Sequence, residues 1–271
     1  MVQAQAVRQL TYIQAVNEAL RQELERDDSV IVMGEDIAGG GTRPDKQDAW
    51  GGPMRLTKGL IGQFGPERIR DTPISEAGFV GAGVGAAAAG LRPVVDLMYV
   101  GFFGVCADQI INNAAKIHYM FGGKVNIPLT IMTGTGAGTN SAAQHSETLY
   151  SIFTHFPGLK CVVPSNPYNV KGLFMAAIRD EDPVIIFNNR QLMGFRGDPH
   201  VPEEPYTLEI GKADIPREGS DITLVGIGYT TRLCLQAAEE LEAQGYSAEV
   251  IDLLSLSPMD NEAILASVRK T

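Results

Sequence analysis

Cysteine is scarce in this chain: Cys106, Cys161 and Cys234 are the only three among 271 residues, and each sits in or beside an apolar run. Their separation matches no zinc-ligand spacing, and three cysteines cannot build a disulfide framework, so a reduced, cytoplasmic compartment is expected. Basic charge is also in deficit. Against 32 acidic side chains stand 22 Lys and Arg, a formal charge of -10, the wrong sign for gripping a phosphate backbone, so no nucleic-acid partner is expected. The longest uncharged apolar stretch, residues 77–91, falls short of the roughly 18 residues a membrane helix needs. Nor does the N-terminal MVQAQAVRQL have the basic-then-apolar layout of a secretory signal. Repeats of solenoid or propeller period and low-complexity tracts are missing too. What remains is ordinary globular material, 44% hydrophobic and 20% charged, with 30 glycines that point to many tight turns and close backbone contacts.

Thr11 and Gln14 form a capping-box pattern, and Leu10, Ile13, Val16, Leu20 and Leu24 recur at helical spacing, so the first element is an amphipathic helix. A buried strand over 30–33 follows, ending in a Gly-, Asp- and Pro-rich surface loop over 37–53. From Arg68 the pattern predicts a short strand, a Gly/Ala helix over 78–90, a strand over 93–98, a helix over 106–120 and a strand over 129–133. The rhythm resumes with a strand at 161–164, a helix opened by Asn166 and Pro167, and a strand at 184–187. Helices alternating with short continuous apolar strands imply an α/β fold, a mainly parallel sheet covered by helices on both faces, over residues 1–195. Proline and charge dominate residues 196–218, which read as a linker. Residues 219–271 then offer strands at 222–228 and 248–254 and helices at 231–243 and 261–270. A buried parallel strand needs neighbours, so this reads as part of a second α/β domain in which the chain stops partway.

Three groups carry candidate chemistry. The run from Gly81 to Ala86 matches a relaxed G-x-G-x-x-A dinucleotide pattern, but DTPISEAGF before it is polar where the motif wants an apolar strand, so a closely packed helix explains the small residues better. His145, at the end of a Gly/Thr-rich loop, is either structural or placed to face a cleft; His118, His155 and His200 have less to recommend them. Glu76 precedes the Gly/Ala helix and is either a catalytic carboxylate or a partner of the helix dipole.

The ordered blocks RIRDTPISEAGFVGAGVGAAAAGLRPVVDLM, DQIINNAAKIHYMFGG, AAQHSE, FPGLKCVVPSNPYNVKGLFMAAIRDEDPVIIF and GSDITLVGIGY span nearly the whole chain. Together they resemble the β subunits of thiamin-diphosphate-dependent 2-oxo acid and acetoin dehydrogenases, with their transketolase-like fold. The resemblance implies an α₂β₂ heterotetramer in which the α subunit holds Mg²⁺ and the diphosphate; no G-D-G followed by paired Asn is present here. It further implies that Glu76 bonds the aminopyrimidine ring nitrogen, that Phe102 lies beside that ring, and that His145 handles a proton on the substrate side while a two-carbon fragment passes to the lipoyl groups of an acyltransferase core. A structural K⁺, known in some members, would map to Leu129, Ala177, Ile178, Asp180 and Asp182. After GEDIAG the segment GGTRPDKQDAWGGPMRLTKGL is similar to acetoin-type β subunits and longer than in pyruvate and branched-chain enzymes, which points to acetoin as substrate.

Overall fold

The computed structural model describes residues 8–38, 51–196 and 200–271. Residues 40–50 of the segment GGTRPDKQDAWGGPMRLTKGL therefore lie outside the described residues, as does most of the loop expected over 37–53.

Helix α1 (Tyr12–Arg26) begins where expected. The Thr11 side chain accepts from the Gln14 amide at 3.1 Å while the Gln14 side chain returns to the Thr11 amide at 2.8 Å, satisfying two otherwise orphaned donors. Its apolar stripe of Tyr12, Ala15, Val16, Ala19, Leu20 and Leu24 is buried. Strands β1 (Val30–Glu35), β2 (Ile69–Thr72), β3 (Arg92–Tyr99), β4 (Thr130–Thr135), β5 (Lys160–Val162) and β6 (Val184–Asn189) form one parallel sheet in the order β5-β6-β4-β3-β1-β2. Helix α2 (Leu60–Phe64) precedes β2, and α3 (Glu76–Ala88) connects β2 to β3. Helix α4 (Phe103–Asp108) runs through a wide π turn (Gln109–Ala114) into α5 (Ala115–Met120). The expected single helix is thus widened in the middle. There the Asn113 side-chain amide donates to the Asp108 carboxylate, five residues back, at 3.1 Å. Helices α6 (Tyr150–His155) and α7 (Pro167–Arg179) complete the unit, α7 capped by the Asn166 side chain on the Asn169 amide at 2.8 Å. One face of the sheet is covered by α1 and α7, the other by α3, α4, α5 and α6, giving two cores as a doubly covered parallel sheet requires.

Downstream lies a three-stranded sheet, β7 (Asp214–Arg217), β8 (Ile222–Gly226) and β9 (Ala248–Asp252), in the order β7-β9-β8, with α8 (Tyr229–Glu242) and α9 (Asn261–Lys270). Its core is small, Ala238, Ala248 and Val250, and edge strand β8 leaves Ile222 and Val225 exposed. The stretch read as linker is more ordered than its composition implied. It contains β7, and residues 201–208 lie against α7, because buried Lys171 donates to Glu18 at 2.7 Å and to the carbonyl of Pro202 at 2.6 Å while Leu208 and Tyr206 pack on Gly172. Strand β10 (Ser255–Ser257) lies beyond the last strand that the pattern predicts. It leaves the small sheet and adds antiparallel to β5 of the large one. Among the described residues no helix is long and apolar enough to cross a membrane.

Candidate active site

Ligands of open parallel sheets collect at the carboxyl ends of the strands. At that edge β3 is irregular: its register to β4 shifts between Asp96 and Tyr99, and Met98 adopts a left-handed φ of 56°. Buried Asp96 makes this conformation possible by accepting the Met98 amide on its own carboxylate at 2.8 Å. Burial pushes the Asp96 carboxyl up to about 6, against the pull of the Met98 amide and with a further rise from nearby Glu35. Past the bulge, Tyr99 and Phe102 pack edge to face, ring centroids 5.6 Å apart.

The loop between β4 and α6 brings His145 onto the same two rings, 4.2 Å from Tyr99 and 5.7 Å from Phe102. Glu76 is the first residue of α3, half-buried, in the turn that follows β2. It is close enough to Cys106, one turn beyond Phe102, that burial and then the Glu76 charge push that thiol up to about 12. Glu35 at the end of β1 is likewise raised, by burial first and then by Asp36 and Glu76. No hydrogen bond or ion pair satisfies the Glu76 carboxylate among the described residues. A helix-dipole role alone would not need this setting: the N-cap Ser75 makes no side-chain cap, yet the carboxylate lies among other acids at a strand edge.

Two family models cover the chain, the transketolase pyrimidine binding domain over residues 8–195 and the transketolase C-terminal domain over 211–271. The acetoin:2,6-dichlorophenolindophenol oxidoreductase subunit beta of Bacillus subtilis (strain 168) is 51% identical over 259 residues, 95% of this chain and 75% of that protein. The chain belongs to the β-subunit family of thiamin-diphosphate-dependent acetoin and 2-oxo acid dehydrogenases. A 2-oxoisovalerate dehydrogenase subunit beta of the same organism is 42% identical, covering 97% of this chain and 77% of its own. Among solved structures, a split-gene transketolase described as an inactive beta4 tetramer superposes with a TM-score of 0.74 over 97% of this chain and 76% of that one, at 24% identity. As a member of this family the chain is an oxidoreductase subunit.

The residues present suit the pyrimidine half of such a cofactor: an unpartnered carboxylate for a ring nitrogen and a half-buried aromatic ring for its face. Among the described residues no cluster of three His, Cys, Asp or Glu side chains could hold a metal ion. The dinucleotide pattern has no cradle. Gly81 and Gly83 lie inside α3 rather than at its start, and a Cβ on Gly83 would stand 2.7 Å from Val95 Cγ2 and 3.4 Å from Leu129 Cδ1, so close packing accounts for the glycine. The other histidines are engaged elsewhere: His118 with the Val125 carbonyl at 3.0 Å, His155 with the Phe156 ring, and His200 with the Arg8 backbone.

The five residues implied for K⁺ gather at the opposite, amino-terminal edge of the sheet. Leu129 O accepts from Val184 at 2.9 Å and Ala177 O from Asp180 at 3.3 Å, while Arg92 Nη1 donates to the carbonyls of Ile178 at 3.1 Å and Asp180 at 2.9 Å. Lys160 Nζ lies 2.8 Å from the Asp180 carboxylate and 3.0 Å from that of Asp182. This oxygen-rich set suits a hard cation in kind, and each carbonyl keeps a second lone pair, but Lys160 and Arg92 compete for the same oxygens. Beside it a cavity of about 630 Å³ is lined by His118, Tyr119, Leu159, Lys160 and Asp182, away from the Glu76 edge. Sequence reasoning missed Tyr99, Asp96 and Arg190, whose guanidinium lies over the Tyr99 ring, 5.0 Å from its centroid. Only the acidic residue two positions before Met98 hints at the bulge, and nothing local marks Arg190.

Proposed function

We propose that this chain is the β subunit of an acetoin-cleaving dehydrogenase, supplying the aminopyrimidine side of a thiamin diphosphate site completed by an α subunit that carries Mg²⁺ and the diphosphate. The observation that carries it is the unpartnered Glu76 carboxylate near Cys106 and Glu35, at the carboxyl edge of the sheet where Phe102 and His145 pack together. The greater identity to an acetoin-type relative than to a 2-oxoisovalerate-type one favours the substrate. Thiamin diphosphate, when bound, would supply a nucleophilic carbon for a carbonyl and a sink for the charge released when the adjacent carbon–carbon bond breaks. Glu76 would hold the pyrimidine ring nitrogen and share a proton with it. Phe102 offers its ring face to the pyrimidine and excludes water. His145 would take or return the proton of the substrate hydroxyl, with acetaldehyde as the leaving product and a lipoyl disulfide of an acyltransferase core as oxidant and acceptor of the two-carbon unit. Exposed Ile74 and Val105 beside α3 and α4, and Tyr119, Met120 and Phe121 at the end of α5, form apolar surface suited to the α subunit of an α₂β₂ assembly.

Glu76→Gln in the enzyme assembled with its α subunit tests the reading. Gln keeps the size and loses the shared proton, so turnover should fall by about 10²- to 10⁴-fold with assembly and melting little changed. Near-normal turnover with a lowered melting point would return Glu76 to a helix-dipole role, worth only about 0.3–1 kcal/mol. Comparing acetoin, pyruvate and branched-chain 2-oxo acids as reductants of an artificial acceptor tests the substrate; a preference for a 2-oxo acid assigns the chain to that branch of the family.

A further inference from the structure

His145 makes no ring hydrogen bond among the described residues, so its orientation depends on packing and on the loop that carries it. That loop is closed at its base by the Glu147 carbonyl, which accepts from the Gly136 amide at 2.9 Å and from Thr135 Oγ1 at 3.1 Å. Between these points Asn140 and Ala142 have φ of 55° and 57°, a region that asparagine tolerates but alanine avoids. Local preference therefore works against the loop's shape, and something outside it must hold it.

Arg190 does so from the end of β6. Its Nη1 donates to the His145 carbonyl at 2.5 Å, and its Nη2 donates to Ser141 Oγ at 2.7 Å. Its guanidinium also lies over the Tyr99 ring, 5.0 Å from the centroid, and Tyr99 is the ring nearest the imidazole. One planar group thus grips the loop at two points and backs the surface against which the histidine rests. Arg190 is itself anchored: it directly follows a strand paired along its length with β4, and Asn189 Oδ1 accepts the Gln191 amide at 3.0 Å. A lysine could supply charge at this place but neither the fork nor the flat face.

We infer that Arg190 is a positioning residue for the reaction, fixing His145 at the substrate through the loop backbone and Tyr99. This rests on the reading of His145 given above. The test uses the assembled enzyme with thiamin diphosphate and Mg²⁺, comparing Arg190→Met, Arg190→Lys, His145→Ala and the Arg190→Met/His145→Ala double variant. Misplacing a reacting group by about 1 Å costs on the order of 10²-fold, so Arg190→Met should lose about 10- to 100-fold in kcat with KM and cofactor affinity little changed, and Arg190→Lys should recover only part. The double variant should be no slower than His145→Ala, because the arginine acts through the histidine. Losses that multiply in the double variant, or a fall in cofactor affinity as large as the fall in turnover, overturn the inference. Full activity in Arg190→Met beside a strongly impaired His145→Ala overturns it alone; near-normal turnover in His145→Ala overturns the reading of His145 beneath it.

Discussion

Two glycines one helical half-turn apart in α3 offer a direct test of how this fold is packed. An alanine Cβ at Gly83 would stand 2.7 Å from Val95 Cγ2, 3.4 Å from Leu129 Cδ1 and 3.9 Å from Met33 Sδ, whereas the same atom at Gly85 meets nothing within 4 Å. Carbon atoms prefer about 3.5–4.0 Å, and Val95 is a fully buried β-branched residue in a central strand with little freedom to turn away. Overpacking of this kind costs about 1–3 kcal/mol, and the better helix propensity of alanine returns about 1 kcal/mol. Gly83→Ala should therefore be net destabilising by up to about 2 kcal/mol, while Gly85→Ala should gain up to about 1 kcal/mol. With roughly 2–4 °C per kcal/mol for a domain of this size, the two melting temperatures should differ by several degrees, Gly85→Ala the higher, in thermal unfolding followed by circular dichroism. A Gly83→Ala protein that melts at or above the wild type would refute the close-packing argument. Loss of dinucleotide binding in that variant, without loss of stability, would restore the pyrophosphate reading of the glycine run.

Asp252 predicts a pH effect. Buried where the two sheets meet, it accepts from Thr231 Oγ1 at 2.9 Å, Asn169 Nδ2 at 3.3 Å and Ser165 Oγ; burial, opposed by the Ser165 and Thr231 hydroxyls and aided by Asp214, raises it to about 7. Because its folded value lies above its unfolded one, its stabilising contribution is complete below about pH 4 and is lost as pH rises through about 7. Asp252→Asn should thus melt progressively higher than the wild type between pH 5 and pH 8; a gap that stays flat or reverses disproves the assignment. For the K⁺ residues, potassium should raise the melting temperature more than sodium at equal ionic strength. Equal curves in the two salts would mean that Lys160 and Arg92 already satisfy Asp180 and Asp182.

The sequence by itself determined the elements whose causes are local. The Thr11 and Gln14 caps, the apolar stripe of α1, the Asn166-Pro167 start of α7 and the continuous apolar runs of β4 and β6 each follow from neighbours within a turn or a strand, and periodicity exposes them. Glu76, Phe102 and His145 stand out as candidates only because whole blocks resemble a family; taken singly, each has a structural explanation. The tertiary structure decided what depends on distant partners. Met98 turns left-handed because buried Asp96 holds its amide, and this aims Tyr99 and Phe102 at a histidine that arrives from beyond β4. Strand β10 leaves its own sheet because β5 presents an open edge, and residues 201–208 are held in place because Lys171, sealed inside the protein, must find oxygen partners. Arg190 reads as an ordinary surface cation until the fold lays it across Tyr99. Contacts between residues far apart in the chain leave no period in the sequence, so only the packed chain reveals them.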